Sequence, residues 1–249
     1  MAIDRDSSKF LDIKWNVRDA LISVLALIAL LVGIYFSTAK ILEFISGNEY
    51  LSITSINNLS FSVLYGIQVL LMVGLVWFFA IYWRKSTPRD LGLRYYSIFK
   101  TLWYTFLALL AIFILSFSYV YIVSSAFNIE APTSKIEQLV RGRNISTNIL
   151  LVVVAVVAPF SEEIFFRGFL YSAFKKAWGI NAGLFLSSLL FALAHMEIYS
   201  FIPIFLIGWI LAYMFEKTRS LFPVIFLHAI YNLILILLLL GQVDMINLY

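Results

Sequence analysis

The chain carries only two histidines, and each falls in an apolar stretch beside other polar groups. His195 closes the run Phe191-Ala192-Leu193-Ala194-His195, and His228 opens His228-Ala229-Ile230-Tyr231-Asn232. Upstream, Ser161-Glu162-Glu163-Ile164-Phe165-Phe166-Arg167 interrupts an equally apolar run. A polar group left unpaired in hydrocarbon costs several kcal/mol, so ionisable residues in such runs mark function by default. A carboxylate base, an imidazole and two hydrogen-bond donors together suit hydrolysis of an acyl bond by an activated water.

The spacing divides the labour. Glu162 and Glu163 are neighbours, so on a helix their side chains leave about 100° apart and cannot serve the same point. Glu163 and Arg167 stand at i and i+4, which places acid over base on one face. That pairing leaves Glu162 as the general base. His195 follows Phe191 by one turn, so ring packs beside imidazole. His228 and Asn232, again i and i+4, offer two donors to one point, as an oxyanion requires. Each piece also has a plainer structural reading: an ion pair at a helix end, a histidine bonded to a carbonyl, an Asn–His bridge between membrane helices. What favours chemistry is that all three sit in the last spans while the other spans carry almost no ionisable residue inside. Ser161 and Ser187 lack the Gly-x-Ser-x-Gly elbow of a serine nucleophile. His-Glu-x-x-His is absent, so a zincin is not supported. Zinc on Glu162, His195 and His228 stands as second choice to a mechanism without a cofactor.

The elements that must position these groups follow from composition. Of 249 residues, 62% are hydrophobic and 13% charged, against roughly 25% charged in a soluble domain. The expected fold is all-α, a polytopic transmembrane helix bundle of about seven spans, within a range of six to eight. The runs are 20–46, 59–83, 97–127, 146–177, 180–197, 200–216 and 221–240. Pro159 predicts a kink just before the glutamates. Residues 1–19 read as a cytoplasmic or interfacial segment, 20–145 as amino-terminal spans and 146–249 as the catalytic core of a single domain. With four basic and four acidic residues in its first 19 and no early apolar run, the chain is expected to have no cleavable leader. Cysteine is absent, which excludes disulfides, thiolate metal sites and a cysteine nucleophile. The net charge of +4 is spread over short loops rather than gathered in a patch, so no nucleic-acid partner is expected. Membrane lipid is the expected surroundings, the plasma membrane if the source is prokaryotic.

Basic residues set the orientation. With the amino terminus cytoplasmic, 13 of the 18 Lys and Arg fall inside, 4 fall outside and Arg167 is intramembrane. This bias favours N-in. The cysteine-free chain makes the test simple. A single cysteine near Arg89 is expected to resist an impermeant thiol reagent in right-side-out cells, and one near Lys135 to label; the reverse pattern inverts the orientation.

The three motifs, Glu162-Glu163-x-x-x-Arg167, Phe191-x-x-x-His195 and His228-x-x-x-Asn232, resemble in type and order those of the type II CAAX prenyl endopeptidases, the CPBP or Abi family of intramembrane proteases. Phe165-Phe166-Arg167-Gly168 and Leu91-Gly92-Leu93-Arg94 are similar to that family's surrounding text. The resemblance implies an all-helical membrane endopeptidase with its site between helices. Glu162 would activate water with help from His195, His228 and Asn232 would hold the oxyanion, and Glu163 with Arg167 would brace the site. It also implies a membrane-associated or prenylated peptide or protein as substrate, with bacteriocin self-immunity among the roles of prokaryotic members. Two other classes compete. A non-catalytic immunity or scaffold protein of the same fold has no need to bury the four residues. A proton-coupled carrier would show repeated halves with broken helices, and the sequence has none.

Overall fold

The computed structural model describes residues 13–46, 53–129, 132–133, 135–142 and 146–246. Among them every regular element is helical. The elements are α1 (Val17–Ser46), α2 (Ile53–Val76, continued by wide π turns over Trp77–Trp83), α3 (Ile98–Phe127), α4 (Lys135–Gly142), α5 (147–178), α6 (180–195), α7 (Phe201–Thr218) and α8 (Leu221–Ile246).

Six helical runs among the described residues are long and apolar enough to cross a membrane. The fourth, Thr147–His195, is 49 residues long and holds both runs expected at 146–177 and 180–197. Its reversal point is Gly179, at φ 86° and ψ 174°, a conformation a side chain would oppose. Beyond it α6 packs back on α5, with Phe191 edge-on to Phe166 at 5.3 Å between ring centroids. The two expected spans are therefore the arms of one hairpin.

α3 exposes apolar side chains along its length, among them Phe99, Trp103, Phe106, Phe117 and Tyr121. In water such a surface would aggregate; in a bilayer it faces lipid. The core lies instead under α5, where every residue of Ile164–Tyr171 is buried. That stretch is fully buried because α6, α7, α8, α1 and α2 all pack against it.

One end of the bundle is laced by polar contacts. Arg84, after α2, donates to both Asp19 oxygens at 2.8 and 2.9 Å. The Tyr171 hydroxyl donates to Glu216, and Lys175 Nζ donates to both Glu216 oxygens at 2.8 Å. The Leu91–Arg94 loop is sewn to the start of α8, where the Leu221 N–H donates to Gly92 O at 2.8 Å and Ser220 Oγ to Arg94 O at 2.6 Å.

The structure departs from the sequence reading at three places. Of the segment read as cytoplasmic or interfacial, 1–19, residues 1–12 lie outside the described residues. Residues 13–16 are non-helical, 17–19 open α1, and Trp15 is fully buried, donating from Nε1 to Phe169 O at 3.0 Å. The indole needs a partner for its N–H once buried, and it finds one inside the bundle rather than at an interface. α4 lies between the runs expected at 97–127 and 146–177; two turns are too short to register as a periodic run, though Ile136, Leu139 and Val140 repeat at helical spacing. At Pro159 the chain widens its ladder into π turns over Val153–Val157, the adjustment a missing N–H invites. Pro203 sits in the first turn of α7, where a backbone N–H would have no intrahelical partner and its absence costs nothing.

Candidate active site

The site is assembled on α5. Glu163 and Arg167 are both fully buried, and Arg167 Nη1 donates to Glu163 Oε1 at 2.8 Å. Two charges out of water need further hydrogen bonds to offset the lost hydration. Arg167 Nη2 donates to the Gly208 carbonyl of α7 at 3.2 Å, and the guanidinium lies over the Phe191 ring at 4.2 Å, while Arg167 Nε and Glu163 Oε2 are buried without a hydrogen-bond partner among the described residues. This stacking suits the planar guanidinium and would not suit lysine.

Glu163 Oε1 also receives the Nδ1–H of His228, at 2.7 Å. That bond orients the ring and aims Nε2 at Glu162, whose Oε2 is 3.9 Å away. His228 thus stands between two carboxylates, one touching and one a step off. With Nδ1–H committed to Glu163, donation from Nε2 as well requires the ring to carry both protons. Glu162 is less buried than Glu163, its side chain 15% exposed against 0%. It is the carboxylate that a water or substrate can reach.

His195, at the end of α6, donates from Nδ1–H to Phe191 O at 2.7 Å, and its ring packs on Phe191 at 4.6 Å. In the neutral ring this makes Nε2 the basic nitrogen. Phe191 contacts His228 as well, at 5.8 Å. One phenyl ring therefore touches both imidazoles and the guanidinium, which makes it the wall against which the site is built.

Asn232 spends part of its hydrogen-bonding capacity within the protein. Its Nδ2 donates to Val154 O at 2.9 Å. The reason lies in the π turn. The Ala158 N–H reaches back to Val153 O, and Pro159 has no N–H to offer. Val154 O is left over, and Asn232 takes it from α8. One amide proton thus ties α8 to α5, and the second is what an oxyanion could use.

The structure therefore groups Glu162, Glu163, Arg167, Phe191 and His228, packs His195 on Phe191, and attaches Asn232 through Val154. Sequence reasoning missed Gly208. A Cβ there would meet Phe191 Cδ1 and Ser188 Cα, each at 3.2 Å, so glycine lets α7 approach closely enough for its carbonyl to reach Arg167. A lone glycine among bulky residues in Phe201–Thr218 was the available signal.

Both histidines give Nδ1 to protein partners, an arrangement that metal-ligating histidines also use. Among the described residues, no three His, Cys, Asp or Glu side chains stand close enough together to hold an ion.

Comparison with known proteins agrees with the motifs. Residues 144–234 match the family described as type II CAAX prenyl endopeptidase Rce1-like. The family resemblance read from the residues thus holds over the segment that bears all three motifs. The chain is also 27% identical over 91 residues to YdiL of Bacillus subtilis (strain 168), by its name a candidate membrane peptidase. That match takes in 36% of this chain and 37% of the relative's length. No solved structure matches the chain.

Proposed function

We propose that this chain is an intramembrane endopeptidase of CAAX-protease type. It hydrolyses a peptide bond in a membrane-associated protein or peptide, using water activated at Glu162. The observation that carries this reading is His228 held by Glu163 at 2.7 Å with its Nε2 3.9 Å from Glu162. A purely structural ion pair has no use for a second, partly accessible carboxylate facing an oriented imidazole.

In this reading Glu162 takes a proton from water, with His195 as its partner, and the water oxygen attacks the scissile carbonyl carbon. The tetrahedral oxyanion is held by Nε2–H of doubly protonated His228 and by the remaining amide proton of Asn232. Collapse breaks the C–N bond, and the proton on Glu162 passes to the leaving amine. Glu163 and Arg167 keep His228 in place throughout. Residues 146–249 form the catalytic core and 20–145 the helices that enclose it. The amino terminus lies in the cytoplasm, by the distribution of Lys and Arg. Prenylated carboxy-terminal tails are the first substrate class to test, because the family match is to prenyl endopeptidases.

The test uses protein purified in detergent with farnesylated and plain peptides, before and after exhaustive chelation. Cleavage is expected to survive chelation. Wild-type activity no greater than that of Glu162→Gln would overturn the hydrolase reading. Activity lost on chelation and restored by zinc would move the mechanism to a metalloprotease.

A further inference from the structure

Directly after Glu163, α5 runs in wide π turns from Ile164 to Tyr171. A π turn bonds i to i+5 in place of i to i+4, a rare geometry that concentrates at functional sites and needs support from outside the ladder. Two side chains serve carbonyls of this stretch. Ser172 Oγ donates to Arg167 O at 3.4 Å. Trp15 Nε1 donates to Phe169 O at 3.0 Å, and the same carbonyl takes the Ser172 N–H. The indole is fully buried and stacks on the Phe169 ring at 5.7 Å between centroids. It comes from the segment ahead of α1, which Lys176 Nζ fastens by donating to Ile13 O at 2.6 Å. Trp15 therefore reaches the site helix from far outside 144–234, the stretch that bears all three motifs.

The downstream side of the π turns is fixed. Gly168 lies against the Leu91 carbonyl, which a Cβ would meet at 2.9 Å. Tyr171 and Lys175 both donate to Glu216 of α7. Closing the π turns into α turns passes one residue through the ladder and rotates the free side by about 100°. With the downstream side held, that rotation falls on Glu163. It would carry Oε1 away from His228 Nδ1, which it now meets at 2.7 Å.

We propose that Trp15 is a positioning residue of the hydrolytic site: its indole N–H, bound to Phe169 O, holds the π turns of α5 open and so keeps Glu163 on His228. This rests on the peptidase reading above, in which Glu163 orients His228. It gives the segment ahead of α1 a part in catalysis, exerted through the backbone of α5. Tryptophan suits the position because a rigid apolar ring fills the space and a single donor at its edge reaches the carbonyl; phenylalanine would fill but not donate.

The decisive variant is Trp15→Phe, which keeps an aromatic ring on Phe169 and removes the N–H. With farnesylated and plain peptides in detergent, its kcat is expected to fall about tenfold with KM nearly unchanged. That is the size of one lost hydrogen bond, read in the geometry of the site and not in binding. Benzothienylalanine incorporated at position 15 has the shape of tryptophan with sulfur in place of the N–H. It repeats the test without leaving a cavity and should show the same loss. Ile13→Val, which loosens the packing of the same segment without touching the donor, should lower the unfolding midpoint and keep kcat. An unchanged kcat on loss of the N–H would overturn the proposal, and so would an equal loss in Ile13→Val. Should wild type cleave none of the peptides, the unfolding midpoints of Trp15→Phe, Glu163→Gln and the double variant still decide. Trp15 and Glu163 make no bond to each other, and separate sites add. Non-additive shifts support the coupling while the peptidase reading fails; additive shifts overturn the coupling.

Discussion

Glu162→Gln is expected to lower kcat by about 10²–10⁴-fold, the range general acid–base groups contribute, while the protein still purifies folded. The amide keeps the shape of the carboxylate and removes its negative charge, and with it the basicity needed to accept the water's proton. Little stability should be lost, because Glu162 is the more exposed of the two glutamates and its nearest charged neighbour, His228 Nε2, is 3.9 Å away. Thermal unfolding in detergent and peptide cleavage on the same preparation give both quantities. Retention of most activity would reassign the base, with Glu163 the next carboxylate at hand.

The opposite pattern is expected one residue along. Glu163→Ala strands the Arg167 guanidinium, fully buried with its carboxylate partner gone, and should cost about 3–5 kcal/mol. It also releases His228 Nδ1, so activity should fall with stability. The paired replacement Glu163→Leu with Arg167→Met removes both charges and fills the same space. Buried pairs exchanged for apolar groups often lose little, so this double variant is expected to be more stable than either alanine variant. It should nevertheless be inactive, because nothing then orients His228. Unfolding midpoints read the first half of this expectation and cleavage the second. A stable Glu163→Ala protein would mean that the pair is not desolvated, and an active double variant would mean that His228 needs no carboxylate behind it.

Glu163 therefore has a larger part than its spacing alone conveyed. The i and i+4 relation to Arg167 was legible because it belongs to a single helix. The bond to His228 joins residues 65 apart in sequence, and no pattern within either motif points to it. Asn232 shows the same limit. Its spacing from His228 suggested two parallel donors, but the widened turn before Pro159 frees the Val154 carbonyl, and one donor goes there instead. Gly208 was invisible for a related reason: it acts through its place opposite α5 and does not stand in a polar string that would draw notice.

What the sequence determined by itself was local and compositional. Apolar runs of membrane-crossing length dictated a helical bundle, because a backbone in lipid must satisfy its own hydrogen bonds. Ionisable residues set inside those runs marked the site, because each carries a cost that packing alone would not repay. The Glu163–Arg167 pair followed from the pitch of one helix. The tertiary structure alone decided how the pieces meet: the close approach of α7 at Gly208, and the rotation of α8 that aims His228 between the two glutamates. Those depend on how helices cross and turn about their axes. Side-chain volumes from distant parts of the chain set that geometry jointly, so no single stretch of sequence contains it.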